Sequence, residues 1–174
     1  SKFGTGILTL SGDNTYTGTT VITASSGTLR IGAGGTTGTL GSDGTTHSAV
    51  TVNTGSTLEF NRSNALSVPN VIGGAGTVKQ DGTGTTTFSA ANTFTTNLKI
   101  NNGTVAFSTN LNLGAAANGI DFTGNGALAG TGTISISRTL NLTSGFTGTL
   151  NAPTVSDSFT HTGLITGAGS LGVS

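Results

Sequence analysis

Six acids, six bases, two histidines and one tyrosine carry almost all the side-chain chemistry available to this chain of 174 residues. The acids are Asp13, Asp43, Glu59, Asp81, Asp121 and Asp157, spread from one end of the sequence to the other. Glycoside hydrolysis needs two converging carboxylates, and lyase chemistry adds Arg or Lys beside them. No such group is visible in the spacing. Asp13, Asp43 and Asp81 stand in Gly-rich contexts, where Asp is favoured for bonding its own backbone. His47 and His161 are each flanked by Ser or Thr, with no second ligand at metal spacing. The oxygen-rich runs Gly12-Asp13-Asn14 and Ser42-Asp43-Gly44 lack the repeating nonapeptide of calcium-binding β-rolls, so they read as turns. Gly32-Ala33-Gly34-Gly35 and Gly124-Asn125-Gly126 are not phosphate loops, because no Lys-Ser/Thr and no helix follows. The expectation is therefore a chain with no catalytic, cofactor-binding or metal-ligating residues, and not an enzyme.

The elements that position these residues are short strands. Pieces such as Gly27-Thr28-Leu29-Arg30-Ile31, Ser56-Thr57-Leu58-Glu59-Phe60 and Thr133-Ile134-Ser135-Ile136 alternate apolar and polar residues, then break at Gly, Asn-Gly or Asp-Gly. That is a half-buried strand of period two ended by a turn. Thr suits the outward positions, since a β-branched side chain fits a pleated surface. No helical amphipathic window occurs; Ala115-Ala116-Ala117 is bracketed too closely by Gly114 and Asn118-Gly119. Arg30 and Glu59 hold the same place in matching pieces. Adjacent coils would pair them on the outer face, an exposed contact worth about 0–1 kcal/mol.

Self-similarity decides between two architectures. Gly6-Ile7-Leu8-Thr9-Leu10-Ser11-Gly12-Asp13-Asn14-Thr15-Tyr16-Thr17 returns as Gly84-Thr85-Thr86-Thr87-Phe88-Ser89-Ala90-Ala91-Asn92-Thr93-Phe94-Thr95. An antiparallel sandwich could use Asn102-Gly103, Asn118-Gly119 and Asn125-Gly126 as hairpin turns. A parallel β-helix lays equivalent strands over one another about 4.8 Å apart, and so asks for recurring residues. The repetition favours the second: an all-β, right-handed, single-stranded parallel β-helix of seven or eight coils, about 35–40 Å long. The glycine steps at Gly27, Gly55, Gly76, Gly103 and Gly126 would mark successive coils. The expected core is Leu8, Leu10, Leu29, Ile31, Leu58, Phe60, Val78, Phe88, Ile100, Val105, Phe107, Phe122, Ile134, Ile136, Leu140 and Leu142. Residues 1–174 form one continuous segment in this reading, with internal repeats near 4–32 and 82–108.

Composition narrows the function. Net charge is zero and only 7% of residues are charged, so no basic stripe exists for nucleic acid. Cysteine is absent, which removes disulfides and thiolate metal sites and suits an export substrate that crosses a membrane unfolded. No apolar run approaches the ~20 residues that span a bilayer. Hydrophobic residues still make up 33%, in spaced clusters that disordered chains lack.

Gly4-Thr5-Gly6-Ile7-Leu8-Thr9-Leu10-Ser11-Gly12-Asp13-Asn14-Thr15-Tyr16-Thr17-Gly18, leading to Gly27-Thr28-Leu29, resembles the autotransporter passenger-associated repeat. The copy at Gly82–Phe107 is degraded, with Ala90 for the family glycine and Phe94 for its tyrosine. The resemblance implies an exported β-helical passenger at the bacterial cell surface, attached to the outer membrane. The function expected from it is a rigid structural or adhesive segment, a spacer or a filament subunit. The alternatives are a carbohydrate-active β-helix enzyme and a glycan- or receptor-binding module. Ile165-Thr166-Gly167-Ala168-Gly169-Ser170-Leu171 parallels Ile72-Gly73-Gly74-Ala75-Gly76-Thr77-Val78. Joining Ser174 to Ser1 would continue the pattern nearly in register. The expected partners are therefore neighbouring copies or flanking repeats stacked end to end, together with surface glycans. Neither nucleic acid nor membrane insertion is expected, and the chain is expected to be part of a longer repeated protein.

Overall fold

The computed structural model describes residues 1–42, 44–45 and 47–174, and within them the chain winds as a parallel β-solenoid of about eight turns. Strands are numbered in chain order. One face is an eight-stranded sheet of β1 (Ile7–Leu10), β3 (Gly27–Ile31), β5 (Ser56–Phe60), β8 (Thr77–Gln80), β10 (Leu98–Ile100), β12 (Ile120–Phe122), β15 (Leu140–Leu142) and β18 (Ile165–Gly167). A second face holds β6 (Leu66–Val68), β9 (Thr85–Phe88), β11 (Gly103–Phe107), β13 (Gly126–Gly130), β16 (Thr147–Asn151) and β19 (Ser170–Val173). The third is divided. Its early coils stack β2 (Thr20–Ile22), β4 (Val50–Val52) and β7 (Ile72–Gly73), and its late coils pair β14 (Thr133–Ile136) with β17 (Ser158–His161). Every strand pairing is parallel, which rules out the hairpin sandwich.

The register shows why alternation in sequence becomes a core. On the long face Leu8, Leu29, Leu58, Val78, Leu98, Ile120, Leu140 and Ile165 form one inward column. Beside it run Leu10, Ile31, Phe60, Gln80, Ile100, Phe122, Leu142 and Gly167. Successive rungs lie between 20 residues (Leu58 to Val78) and 29 residues (Leu29 to Leu58) apart. Each inward side chain is sandwiched between its counterparts above and below, so burial is collective; one buried Leu, Ile or Phe contributes about 1.5–3 kcal/mol. Phe60 meets Phe88 edge-on at 5.5 Å across the interior.

The expected core residues are buried except at the first coil, where Leu8 is exposed and Leu10 half-buried because only one neighbour covers them. Ile22, Leu40, Val50, Val52, Leu66, Val68, Ile72, Phe94, Leu98, Leu113, Ile120 and Leu128 complete the core cluster. Gln80 is the polar intruder. It sits between Phe60 and Ile100, and its amide donates to the Gly82 and Gly84 carbonyls while its oxygen accepts from Thr86 Oγ1. Satisfied in this way, a buried amide carries no desolvation penalty to unfold the coil.

The glycine steps do not form one column. Gly27, Gly55 and Gly76 lead into the long face, whereas Gly103 pairs with Gly126 on the second face. All five are strand entries, but they fall on two different faces, so the steps mark strands and not coils. The third face is broken by Asn110–Leu113, a single 3-10 turn not expected from the sequence. Asn112 builds it by accepting from the Ser108 and Thr109 amides. No helix among the described residues is long and apolar enough to cross a membrane.

Candidate functional site

Five charged side chains line up on the outside of the long sheet. Its outward column reads Thr9, Arg30, Glu59, Lys79, Lys99, Asp121, Asn141 and Thr166. Arg30 Nε lies 2.5 Å from Glu59 Oε1, the pairing expected from sequence, and Lys79 Nζ lies 3.6 Å from Glu59 Oε2 and 2.7 Å from Asp81 Oδ1. Glu59 is buried rather than exposed, because the stems of Arg30 and Lys79 flank it on both sides. Asp121 Oδ1 accepts from Asn97 and Asn141, and Asp81 Oδ1 accepts from Asn101. Glu59 and Asp121 are thus held by donors on the coils above and below, and Asp81 by Lys79 of its own coil and Asn101 of the next. Asp81 lies in the connection between β8 and β9, as expected, but its carboxylate binds the Lys79 and Asn101 side chains.

Two consequences can be measured. Glu59→Ala is expected to cost about 1.5–3 kcal/mol, the range for hydrogen bonds to charged groups, with the loss shrinking as salt is added. Urea titrations of parent and variant at low and high salt check it. Burial acts to raise the Asp81 pKa, but the ammonium of Lys79 and the amide of Asn101 outweigh it and hold the carboxyl below its ordinary value. Asp157 is also lowered, by the Gly132 amide and then by Thr154. A carboxyl with a depressed folded pKa stabilises above its unfolded pKa and loses that contribution as pH falls through the folded value. Stability should therefore fall below about pH 4, and Asp81→Asn should flatten that acid limb of a pH series of urea midpoints.

Two arginines are turned inward. Arg62 donates from Nε to Asn64 Oδ1 at 2.9 Å, from Nη1 to the Gly38 carbonyl at 2.9 Å, and from Nη2 to the Thr36 carbonyl. Arg138 spreads five bonds of 2.7–3.1 Å over the Asn110 side chain and the carbonyls of Asn110, Gly114, Ala115 and Asn118. Both are buried, and burial lowers the Arg138 pKa. Each clamps an irregular excursion whose carbonyls find no strand partner. Lone Arg residues in a polar sequence gave no sign of this role; the nearest signal is that each follows a coil with a long Gly- or Ala-rich excursion.

The two sequence repeats each build one complete coil. The first runs from β1 to β3 and the second from β9 to β11, so each ends on the strand that pairs with its own first strand. The Thr28 amide donates to Gly6 O in one and Thr104 to Gly84 O in the other. Asn14 Nδ2 donates to Thr39 O, and Asn92 Nδ2 to Asn112 O, at 2.8 and 2.6 Å. The next residues in the overlying coil are a buried Leu and a Gly, Leu40-Gly41 and Leu113-Gly114. That Gly packs on the motif's aromatic: a Cβ on Gly114 would meet the Phe94 ring at 2.6 Å, and one on Gly41 would overlap Tyr16. The copies are equivalent in contacts but not in direction. The first opens on the eight-stranded face and the second on the six-stranded face.

The remaining candidates lie apart. His161 Nε2 meets the Arg138 carbonyl at 2.8 Å, and His47 Nδ1 meets Ser42 Oγ at 2.8 Å. Asp43 lies outside the described residues. An open groove of about 350 Å³ runs past Asp13, Asn14, Thr39, Ser42, Ser67 and Asn70. Its Asp13 accepts from the Gly38 amide of the next coil, and does not bond its own turn. Among the described residues no three of His, Cys, Asp and Glu come together.

Comparison with known protein families matches residues 1–31 and 78–107 to the passenger-associated-transport-repeat. Neither the comparison with curated proteins nor that with solved structures found a match.

Proposed function

Starting from two passenger-associated-transport-repeats carried on one β-solenoid, a combination that fits an autotransporter-type passenger, we propose that this chain is a rigid, non-catalytic spacer at a bacterial cell surface. The observation that carries the reading is the pair of inward columns running through all eight rungs of the long sheet, one apolar throughout and the other interrupted by Gln80 and ending at Gly167. A rod needs such continuity, since each coil is stable only on its neighbours. Both repeats are spent on closing coils, and the carboxylates of the described residues are engaged by structural donors. Absence of cysteine agrees with passage through a membrane unfolded.

Protease shaving of intact source cells, read with an antibody to this chain, tests the location. Loss of the signal while a periplasmic control survives is expected; survival of the signal until lysis would sink the reading. A panel of polysaccharides tests the other half, because turnover of any of them, abolished by substitution of Glu59 or Asp121, would replace a spacer with an enzyme.

A further inference from the structure

An Asn followed by Gly can react with its own backbone, because glycine puts no side chain in the way of ring closure. The chain holds three such pairs, Asn102-Gly103, Asn118-Gly119 and Asn125-Gly126. The fold treats them differently. The Asn118 side chain is buried and donates to Phe94 O, while the Gly119 amide donates to Asn97 Oδ1 of the preceding coil. The Asn125 side chain is exposed, but its Oδ1 accepts from the Thr147 amide, and the Gly126 amide turns to Gly124 O. Only at Asn102 do side chain and next amide meet. There Gly103 N donates to Asn102 Oδ1 at 2.8 Å, and Asn102 Nδ2 has no partner among the described residues. We propose that Asn102-Gly103 is a self-modifying site, which the fold holds ready to close to a succinimide and to open to isoaspartate.

The step needs only base and water. The Gly103 amide gives up its proton, its nitrogen attacks Asn102 Cγ, and the Cγ–Nδ2 bond breaks with release of ammonia. The 2.8 Å contact sets that nitrogen beside the carbon it attacks, the placement that makes an intramolecular reaction fast. No neighbouring coil needs this amide, since the ladder of β11 on β9 begins at Thr104, whose amide donates to Gly84 O. Asn102 is half-buried, so water reaches the ring. Water adding at Cγ breaks the new bond and leaves an ordinary aspartate. Water adding at the Asn102 backbone carbonyl breaks the original peptide bond and leaves isoaspartate, whose chain runs through the side chain and is longer by an atom. Only Asn101 and Asn102 connect β10 to β11, so no loop absorbs that atom. It falls where Gly103 passes over the Gly82 and Gly84 carbonyls, at the closure of the second repeat. Conversion therefore loosens an inner coil with age and adds a negative charge to a chain of net charge zero.

Incubation of the folded 174-residue chain in warm, mildly alkaline heavy-oxygen water, followed by peptide mapping by mass spectrometry, tests the proposal. Label and isoaspartate should accumulate at Asn102 at least about tenfold faster than at Asn118 or Asn125. The rate should rise with pH, since the attacking amide must lose its proton. The same chain in guanidinium is the control: released from the fold, the three pairs should react at similar rates. Asn102→Gln, whose longer side chain disfavours the ring, should remove the product with unchanged far-ultraviolet circular dichroism. The urea midpoint of the parent should fall as conversion proceeds, while that of the variant holds. Conversion led by Asn125, the most exposed of the three, overturns the proposal. So does a folded chain that does not convert at Asn102, and so does a lead for Asn102 that persists in guanidinium. None of these results bears on the shaving experiment, so the site and the surface location stand or fall separately.

Discussion

Arg138→Ala should lower the free energy of unfolding by about 3–5 kcal/mol, because several buried carbonyls lose a charged donor at once. The guanidinium is the donor for four backbone carbonyls on the excursion between Asn110 and Asn118. Alanine leaves those carbonyls without donors in a space where each unsatisfied group costs about 1–3 kcal/mol. Lysine should restore little, because a point ammonium cannot reproduce a planar fork reaching five acceptors. Lys99→Ala is the control: Lys99 stands in the outer ladder with no ion pair to the described residues, and its loss should stay within about 0.5 kcal/mol. Solenoids can open by sections, so urea midpoints need a local readout. Hydrogen exchange at Ala115 and Asn118, whose amides bond to Phe94 and Ala115, should rise in the variant before exchange at β3 or β5 does. A midpoint shift worth less than about 1 kcal/mol would show that water replaces the clamp without loss.

The parallel winding and the long-face column were legible because they rest on a period of two and on glycine punctuation, both local properties. Leu29, Leu58 and Val78 could be placed in one column from their matching steps, and the Arg30–Glu59 pair followed from the same alignment. What sequence hid depends on which strand lies over which. Repetition suggested that equivalent residues stack on equivalent residues, yet Ile7–Leu10 and Thr85–Phe88 occupy different faces. All three faces ask a strand for the same thing, so the motif specifies a coil and leaves its starting face to coil length. Gln80 and the two clamping arginines were invisible for another reason. Their burial depends on carbonyls contributed by coils 20 or more residues away, which no local pattern reports.

The same connectivity bears on the proposed export of this chain. Nearly every hydrogen bond between coils joins residues about one coil apart, as with Thr28 to Gly6 or Thr104 to Gly84. Long loops need not close before contacts form, so folding can begin at one coil and propagate along the chain. A segment emerging unfolded, with no cysteine to be trapped in a wrong disulfide, can add rungs in order.

The motif's closing glycine is where that order should be easiest to break, and Gly103→Ala is expected to cost about 2–5 kcal/mol, combining left-handed backbone strain with overpacking. Gly103 has φ +59°, and a Cβ there would overlap the carbonyl oxygens of Gly82 and Gly84, the first strand entry of the same coil. Those are backbone atoms, fixed by Gly84 N bonding to Arg62 O and Gly84 O accepting from Thr104, so they cannot swing aside as a side chain would. Gly27 repeats the arrangement, with φ +67° and the Thr5 and Gly6 carbonyls in the way, so Gly27→Ala should carry a cost of the same kind. Gly132 separates the two causes, having φ +81° but open space around it; alanine there should show only the conformational strain of about 1–2 kcal/mol. If Gly103→Ala and Gly132→Ala proved equally mild, the glycine step would be a matter of backbone handedness alone. If Gly103→Ala is the worse by the margin expected, the glycine is there because the coil must pass over its own beginning, and a repeat lacking it could not close.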